Sequence, residues 1–273
     1  MEGGISIHLA PLALFHIGTF PVTNTLVTTI TVSLLLVLFA WLAGRNLKLI
    51  PGKFQSVVEL LVMYPYEFTR DTLQNDAVTK RIFPVIMTIF LLVLLQNWFG
   101  LLPITEGVGI APATPGGEVT SYFYSGATDL NFTFSLALIA FLAIEFFGVT
   151  TMGFFTYAKK FLNFQSPIKF VVGLIELVSE FARLISYSFR LFGNVFAGKV
   201  LILVIGFFVP LFLPVPFLAF ETFVGFIQAA IFALLTLFFT KIAIEIHDEA
   251  HSEEHASLAM SEALEEGLHH AEA

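Results

Sequence analysis

Over most of this chain the hydrophobic positions do not alternate with polar ones; they run together. Five apolar segments, at about residues 25–44, 82–103, 132–155, 168–207 and 212–246, each approach or exceed the roughly 20 helical residues needed to cross a bilayer. The last two are too long for one straight crossing. At about 1.5 Å per residue, a helix of about forty residues extends about 60 Å, twice the ~30 Å hydrocarbon core. They are expected to tilt strongly, bend or protrude, as a long hairpin turning around Pro210, Pro214 and Pro216. One further stretch is periodic. Between 54 and 75, Val57, Leu61, Tyr64 and Phe68 recur at helical spacing, which predicts an amphipathic helix, either lying on the membrane surface or packed on protein. No internal repeat is visible. The fold expected is an all-α integral membrane protein, a single membrane domain over 1–273, with five membrane-embedded helices and one amphipathic interfacial helix. Residues 1–24 form an N-terminal tail and 247–273 an acidic C-terminal tail.

The thirteen basic residues orient these spans. Arg45, Lys48, Lys53, Arg70, Lys80 and Arg81 follow span one, Lys159, Lys160 and Lys169 follow span three, and Lys241 ends span five. None falls in the N-terminal tail, in 104–131 or in the turn at 208–216. The positive-inside rule then places the N-terminus outside, on the periplasmic face, and the C-terminus in the cytoplasm.

Composition agrees: 57% of the 273 residues are hydrophobic and only 12% charged, against about 25% charged in a soluble domain. Much of the net charge of −8 sits in the C-terminal tail, and no nucleic-acid partner is expected. The absence of cysteine excludes disulfides and thiolate metal sites. No Lys or Arg precedes the first apolar stretch, so a cleaved signal peptide is not expected.

Seven ionisable residues remain inside the apolar segments: Arg183, Arg190, Lys199, Glu145, Glu176, Glu180 and Glu221. Each costs at least ~2.5–3.5 kcal/mol at mid-bilayer even on insertion scales, so such residues face protein or a water cavity and mark ion or proton paths. Glu176, Arg183, Arg190 and Ala197 step by seven and share one helix face. Near the cytoplasmic end, Glu176 and Arg183 fit a snorkelling salt bridge. Arg190 lies about twenty residues, roughly 30 Å, from that end, with apolar chain on both sides; it is either a functional cation or a buried structural one. Folding the last two helices about residue 210 brings Arg190 opposite Gln228, within a turn, and Lys199 opposite Glu221. An amide there can orient a guanidinium without neutralising it. Lys199 and Glu221 fit an ion pair or a water-lined polar step.

Two motifs read as absent chemistry. The stretch RLFGNVFAGKV (190–200) approaches the phosphate-loop spacing, but Val200 has no hydroxyl for magnesium and no strand leads into the glycines, so no nucleotide site is expected. His247, His251 and His255 are spaced for a metal on a helix face, yet they are interleaved with carboxylates and lack an apolar shell. A solvated or frayed helix is the simpler reading; no metal and no cofactor are expected.

The stretch SYSFRLFGNVFAG (186–198), followed by IQAAIF (227–232) on the next helix and NWFGLLP (97–103) on span two, resembles subunit a of the membrane sector of F-type ATP synthases. The resemblance covers most of the chain. It implies a non-catalytic, proton-translocating subunit in which Arg190 faces a rotating ring of subunit c. Protons reach each ring carboxylate by one aqueous half-channel and leave by another, with the arginine between them. By motif position, Asn194, Gln228, Glu221 and Glu176 correspond to the polar lining of the half-channels, and Ser186 to a polar position one turn below Arg190. Lys199 stands where many members carry a carboxylate or histidine, and Glu221 where several bacterial members carry histidine. The implied partners are the c-ring, the subunit b stator stalk, other subunits of the synthase and the lipid bilayer; the implied location is a bacterial inner membrane. A secondary proton or ion transporter also keeps buried charges, but commonly shows inverted repeats and interrupted helices, which the sequence lacks. A purely structural scaffold would not need Arg190.

Overall fold

The computed structural model describes residues 11–45, 47–102, 109–110, 120–161, 167–209 and 212–271. Pro103 of the span-two motif, Pro210 of the expected turn and the side chains of Lys159, Lys160, His247, His251 and His255 lie outside what is described. The described helices are α1 (Asn24–Gly44), α2 (Lys53–Leu73), α3 (Asp76–Phe99), α4 (Leu130–Met152), α5 (Phe154–Phe161), α6 (Pro167–Phe208) and α7 (Pro214–Ala271). Two antiparallel pairs, β1 (Ala13–Ile17) with β2 (Phe20–Thr23) and β3 (Gly109–Ile110) with β4 (Thr120–Ser121), are the described β-structure. Five helices are long and apolar enough to cross a membrane: α1, α3, α4, α6 and the Pro214–Ile244 part of α7.

Element ends follow capping chemistry rather than the apolar window. Helix α3 starts well before the apolar run at 82, because the Asn75 carboxamide oxygen accepts the backbone N–H groups of Ala77 and Val78 at 3.1 and 3.2 Å. Helix α4 is capped by Asp129, which accepts the Asn131 N–H at 2.9 Å through one carboxylate oxygen and the Thr25 hydroxyl at 2.8 Å through the other. That second bond ties α1 to the start of α4. The sequence pattern gave no sign of the β1–β2 hairpin, which turns at Gly18 with φ of +65°. Nor did it give α5, which lies between spans three and four. Gly153, at φ +82°, ends α4 and lets the chain turn straight into that short helix.

Burial differs sharply between the spans. In the most apolar window of α3, 44% of residues are buried within the chain, against 11% in α1 and 17% in α6. Helix α3 is therefore central and packs against α7, while α4 packs against both α6 and α7. Their shared core includes Val93 of α3, Ala137 and Ala140 of α4, Leu191 of α6, and Ala229 and Phe232 of α7. Small residues on α4 and α7 let the backbones approach, as helix association in lipid requires. Helix α2 meets α3 through an edge-on Tyr66–Phe83 contact at 5.1 Å. Its Val57, Leu61, Tyr64 and Phe68 face is exposed, not packed on the chain.

Asp129→Ala removes a helix cap and a buried acceptor together, and is expected to cost about 1–3 kcal/mol. Thermal denaturation in detergent should show the loss, and adding Thr25→Ala should lower the midpoint little further because both changes break one bond.

Candidate functional site

Helices α6 and α7 run antiparallel, and their facing side chains fix the register. Tyr187 packs on Phe232 and Phe239 with ring centroids 5.0 and 6.0 Å apart. One turn past Arg190, the Asn194 amide donates to the Gln228 carboxamide oxygen at 2.5 Å. Further along, Gly198 lies directly against Glu221: a Cβ there would run into the Glu221 carboxylate. Gly198 thus has a steric duty in the sequence that first suggested a phosphate loop. Helix α6 is continuous through Gly193 and Gly198.

The structure divides the expected residues into three zones. The first is a polar seam on the side of Arg190 toward the α6–α7 turn. Glu221 (8% exposed) and Gln228 (2%) are buried on α7, and Lys199 lines the same small cavity as Glu221, with Asn97, Ser125 and Gly225 among its other walls. The cavity has room for about one water molecule. The Lys199 ammonium stands over the Tyr124 ring, 3.9 Å from its centroid, a cation–π seat that lowers the cost of the charge. Helix α3 is strapped to this level of α7: the Asn97 amide donates to the Gly225 carbonyl at 3.0 Å and the Trp98 indole to the Thr222 carbonyl at 3.1 Å. Around the cavity, the Asn97 Oδ1 and Ser125 Oγ atoms, and both polar atoms of the Gln96 amide nearby, are buried without a protein partner. Polar atoms so placed call for water, so the seam is built to be wet.

The second zone is Arg190 itself. It is exposed on the α6 face that none of the described helices covers, beside exposed Ser186 and Ala197. Among the described residues no carboxylate lies within ion-pair distance of it. Gln228, expected opposite Arg190 within a turn, lies within that range and accepts from Asn194, one turn further on.

The third zone is a charged cluster on the other side of Arg190, toward the start of α6. Arg183 meets Glu176 at 3.5 Å, as the seven-residue spacing suggested, but its shorter contact is with Glu180, at 2.9 Å. Its guanidinium also lies 4.5 Å from the Phe239 ring centroid. Beneath it, Tyr157 of α5 packs so close under Gly148 of α4 that a Cβ on Gly148 would lie 2.7 Å from the ring. Burial first, and then the Glu145 carboxylate beside it, push the Tyr157 phenol well above the ordinary tyrosine range, so it stays protonated as a donor.

Sequence reasoning missed Tyr124, Ser125 and Gln96, and found Trp98 within the span-two motif without giving it a contact. Tyr124 and Ser125 lie in the irregular stretch before α4, where no periodicity exists to mark them. Gln96 was hidden within an apolar run, although a glutamine in such a run is itself the signal of a buried polar contact. Among the described residues no cluster of three His, Asp or Glu side chains is arranged to hold a metal.

Fold and site together define a multi-pass membrane protein with a polar seam between two long antiparallel helices and an uncovered arginine beside it. A family profile described as ATP synthase A chain matches residues 25–241, and the chain belongs to that family, subunit a of the F-type ATP synthase. It is 32% identical over 225 residues to the ATP synthase subunit a of Campylobacter jejuni subsp. doylei, covering 81% of this chain and 85% of that one. To the subunit of Gloeobacter violaceus it is 34% identical over 228 residues, covering 82% and 85%. The subunit of Moorella thermoacetica matches over 240 residues at 29% identity, 88% of this chain and 98% of its own.

The α6–α7 register is open to direct test, because the chain has no cysteine of its own. A double variant Asn194→Cys with Gln228→Cys should join readily through a short thiol-specific cross-linker in membranes. Adding Gly198→Val, which drives a side chain into Glu221, should reduce the yield sharply; an unchanged yield would mean that the helices are not in close contact there.

Proposed function

We propose that this chain is the proton-conducting stator subunit of an F-type ATP synthase, working against a rotating ring of subunit c. The observation that carries this reading is Arg190: a guanidinium midway along α6, on a face its own chain leaves open, with no ion-pair partner among the described residues. Such a cation is costly in lipid, and a membrane-buried carboxylate on a partner would offset that cost. Because arginine does not lose its proton at any relevant pH, it favours the ionised form of each carboxylate that reaches it. The carboxylate therefore arrives at Arg190 deprotonated and leaves it to be reprotonated.

Two polar routes flank the arginine. The outer one runs through the Asn97, Ser125, Lys199 and Glu221 cavity and then along Gln228 and Asn194 to the open face, with Glu221 as a proton carrier. The inner one passes Ser186 and Glu176 toward the cytoplasmic end. Arg190 separates them: a proton crosses only by riding the ring from one route to the other, which couples proton flow to rotation and so to ATP synthesis. In this arrangement the N-terminus is outside and the C-terminus cytoplasmic. Helix α2 lies on the inner surface with its exposed Val57, Leu61, Tyr64 and Phe68 in the interface, α6 and α7 are strongly tilted, and subunit b holds the assembly. The basic loops between α1 and α3 and between α4 and α6 support the orientation. The membrane is that of a bacterial cell.

Arg190→Ala should abolish ATP-driven proton pumping in inverted vesicles while the complex still assembles. Arg190→Lys should leave pumping at least ~10-fold lower, because a lysine is a compact point charge that can lose its proton when buried. Normal pumping by the alanine variant would refute the reading. For orientation, a cysteine at Lys53 in the same vesicles should react with an impermeant thiol reagent, since their inner face is turned outward; protection there would reverse the assignment.

A further inference from the structure

Helix α6 carries two arginines, seven residues and about 10 Å apart along one stripe. A partner carboxylate moving past that stripe would find either guanidinium attractive. We propose that Glu180 is a positioning residue that draws Arg183 into the bundle, leaving Arg190 as the cation on this face that the partner engages. The proposal rests on the assignment of Arg190 made above.

The geometry separates the two arginines. Arg190 is exposed, whereas the Arg183 side chain is 21% exposed and is seated from three sides. The Glu180 carboxylate, itself 5% exposed, meets the Arg183 guanidinium at 2.9 Å from one turn earlier on the same helix. Phe239 of α7 lies under that guanidinium at 4.5 Å. Both draw it toward α7 and away from the open face. Glu176, 32% exposed, meets it at 3.5 Å from the more open side. Other titratable groups near the cluster are Tyr157 on α5, Glu145 on α4 and Tyr187 of α6 itself, which packs on the same Phe239 ring. A charge-assisted pair at this distance, shielded from solvent, is strong, and removing one member leaves the other uncompensated and costly to keep buried.

Glutamine at 180 removes the inward pull. Arg183 then has its remaining charged partner, Glu176, toward the open stripe, and swings out to present a second cation about two turns below Arg190. A ring carboxylate held there stays ionised on the inner side of Arg190, where it should pick up or release a proton, and the ring stalls.

The test uses the assembled complex in inverted vesicles, with ATP-driven pumping and ATP hydrolysis measured per complex and the amount of complex quantified. Glu180→Gln is expected to lower both rates severalfold, without reducing the amount of complex in proportion. Glu180→Gln with Arg183→Gln should recover pumping, while Glu180→Gln with Arg183→Lys, which keeps the charge, should not. Parental pumping per complex in Glu180→Gln would overturn the proposal. So would a double glutamine variant as slow as Glu180→Gln, which would make Glu180 act on its own account, or a loss confined to the amount of complex, which would make its role structural. Arg190→Ala measured alongside separates the two levels: if it pumps normally, the assignment of Arg190 has failed; if it is inactive while Glu180→Gln is normal, only the role of Glu180 has.

Discussion

A charge inside an apolar slab must be met by something, and that constraint organises this molecule. Each ionisable group carried by the membrane-crossing helices costs several kcal/mol unless protein, water or a partner compensates it. The chain answers the cost differently at each place. Arg183 is met by two carboxylates and an aromatic ring. Lys199 is seated on Tyr124 at the rim of a polar cavity. Glu221 is buried against Gly198 and the same cavity. Arg190, by contrast, has no carboxylate within ion-pair distance among the described residues, and the chain belongs to a family whose members work with the other subunits of the ATP synthase.

The helix packing serves this distribution. Helix α3 sits at the centre, and its Asn97 and Trp98 hold the backbone of α7 at the level of Glu221. Asn194 and Gln228 fix the register of α6 on α7 next to Arg190. The aromatic contacts of Tyr187 with Phe232 and Phe239 continue that register toward the Arg183 cluster. The arginine thus lies between two polar zones on a pair of packed helices, and none of the described helices covers the face that presents it. Precision of this kind needs small residues where backbones approach, and Gly198 and Gly225 supply it: a Cβ on Gly225 would lie 3.1 Å from the Asn97 side chain.

Much of this was legible because lipid simplifies the code. Long unbroken apolar runs gave the five spans, and charges stood out within them because they are expensive there. Folding the last two runs about residue 210 brought Lys199 level with Glu221, and both line one cavity. What the pattern missed has a common cause. Asn75 starts α3 through a side-chain cap, Gly153 inserts α5 through a left-handed backbone, and Gly18 turns the β1–β2 hairpin. These are single-residue events that periodicity averages away. The Arg183–Glu180 pair was missed for another reason: the seven-residue stripe drew attention to Glu176, which Arg183 does meet, whereas a contact three residues away points into the bundle and depends on what packs there. Tyr124 and Ser125 were out of reach because an irregular segment has no period from which to infer its position.

The account turns on the open face of α6 being occupied by a partner's membrane span. A photo-reactive residue placed at Ala197, exposed on the Arg190 stripe, tests this in native membranes. The account requires a protein adduct with a small membrane subunit whose span carries a carboxylate, and no such adduct from the same probe at Leu191, which faces the core. Adducts with lipid alone at Ala197 would contradict it.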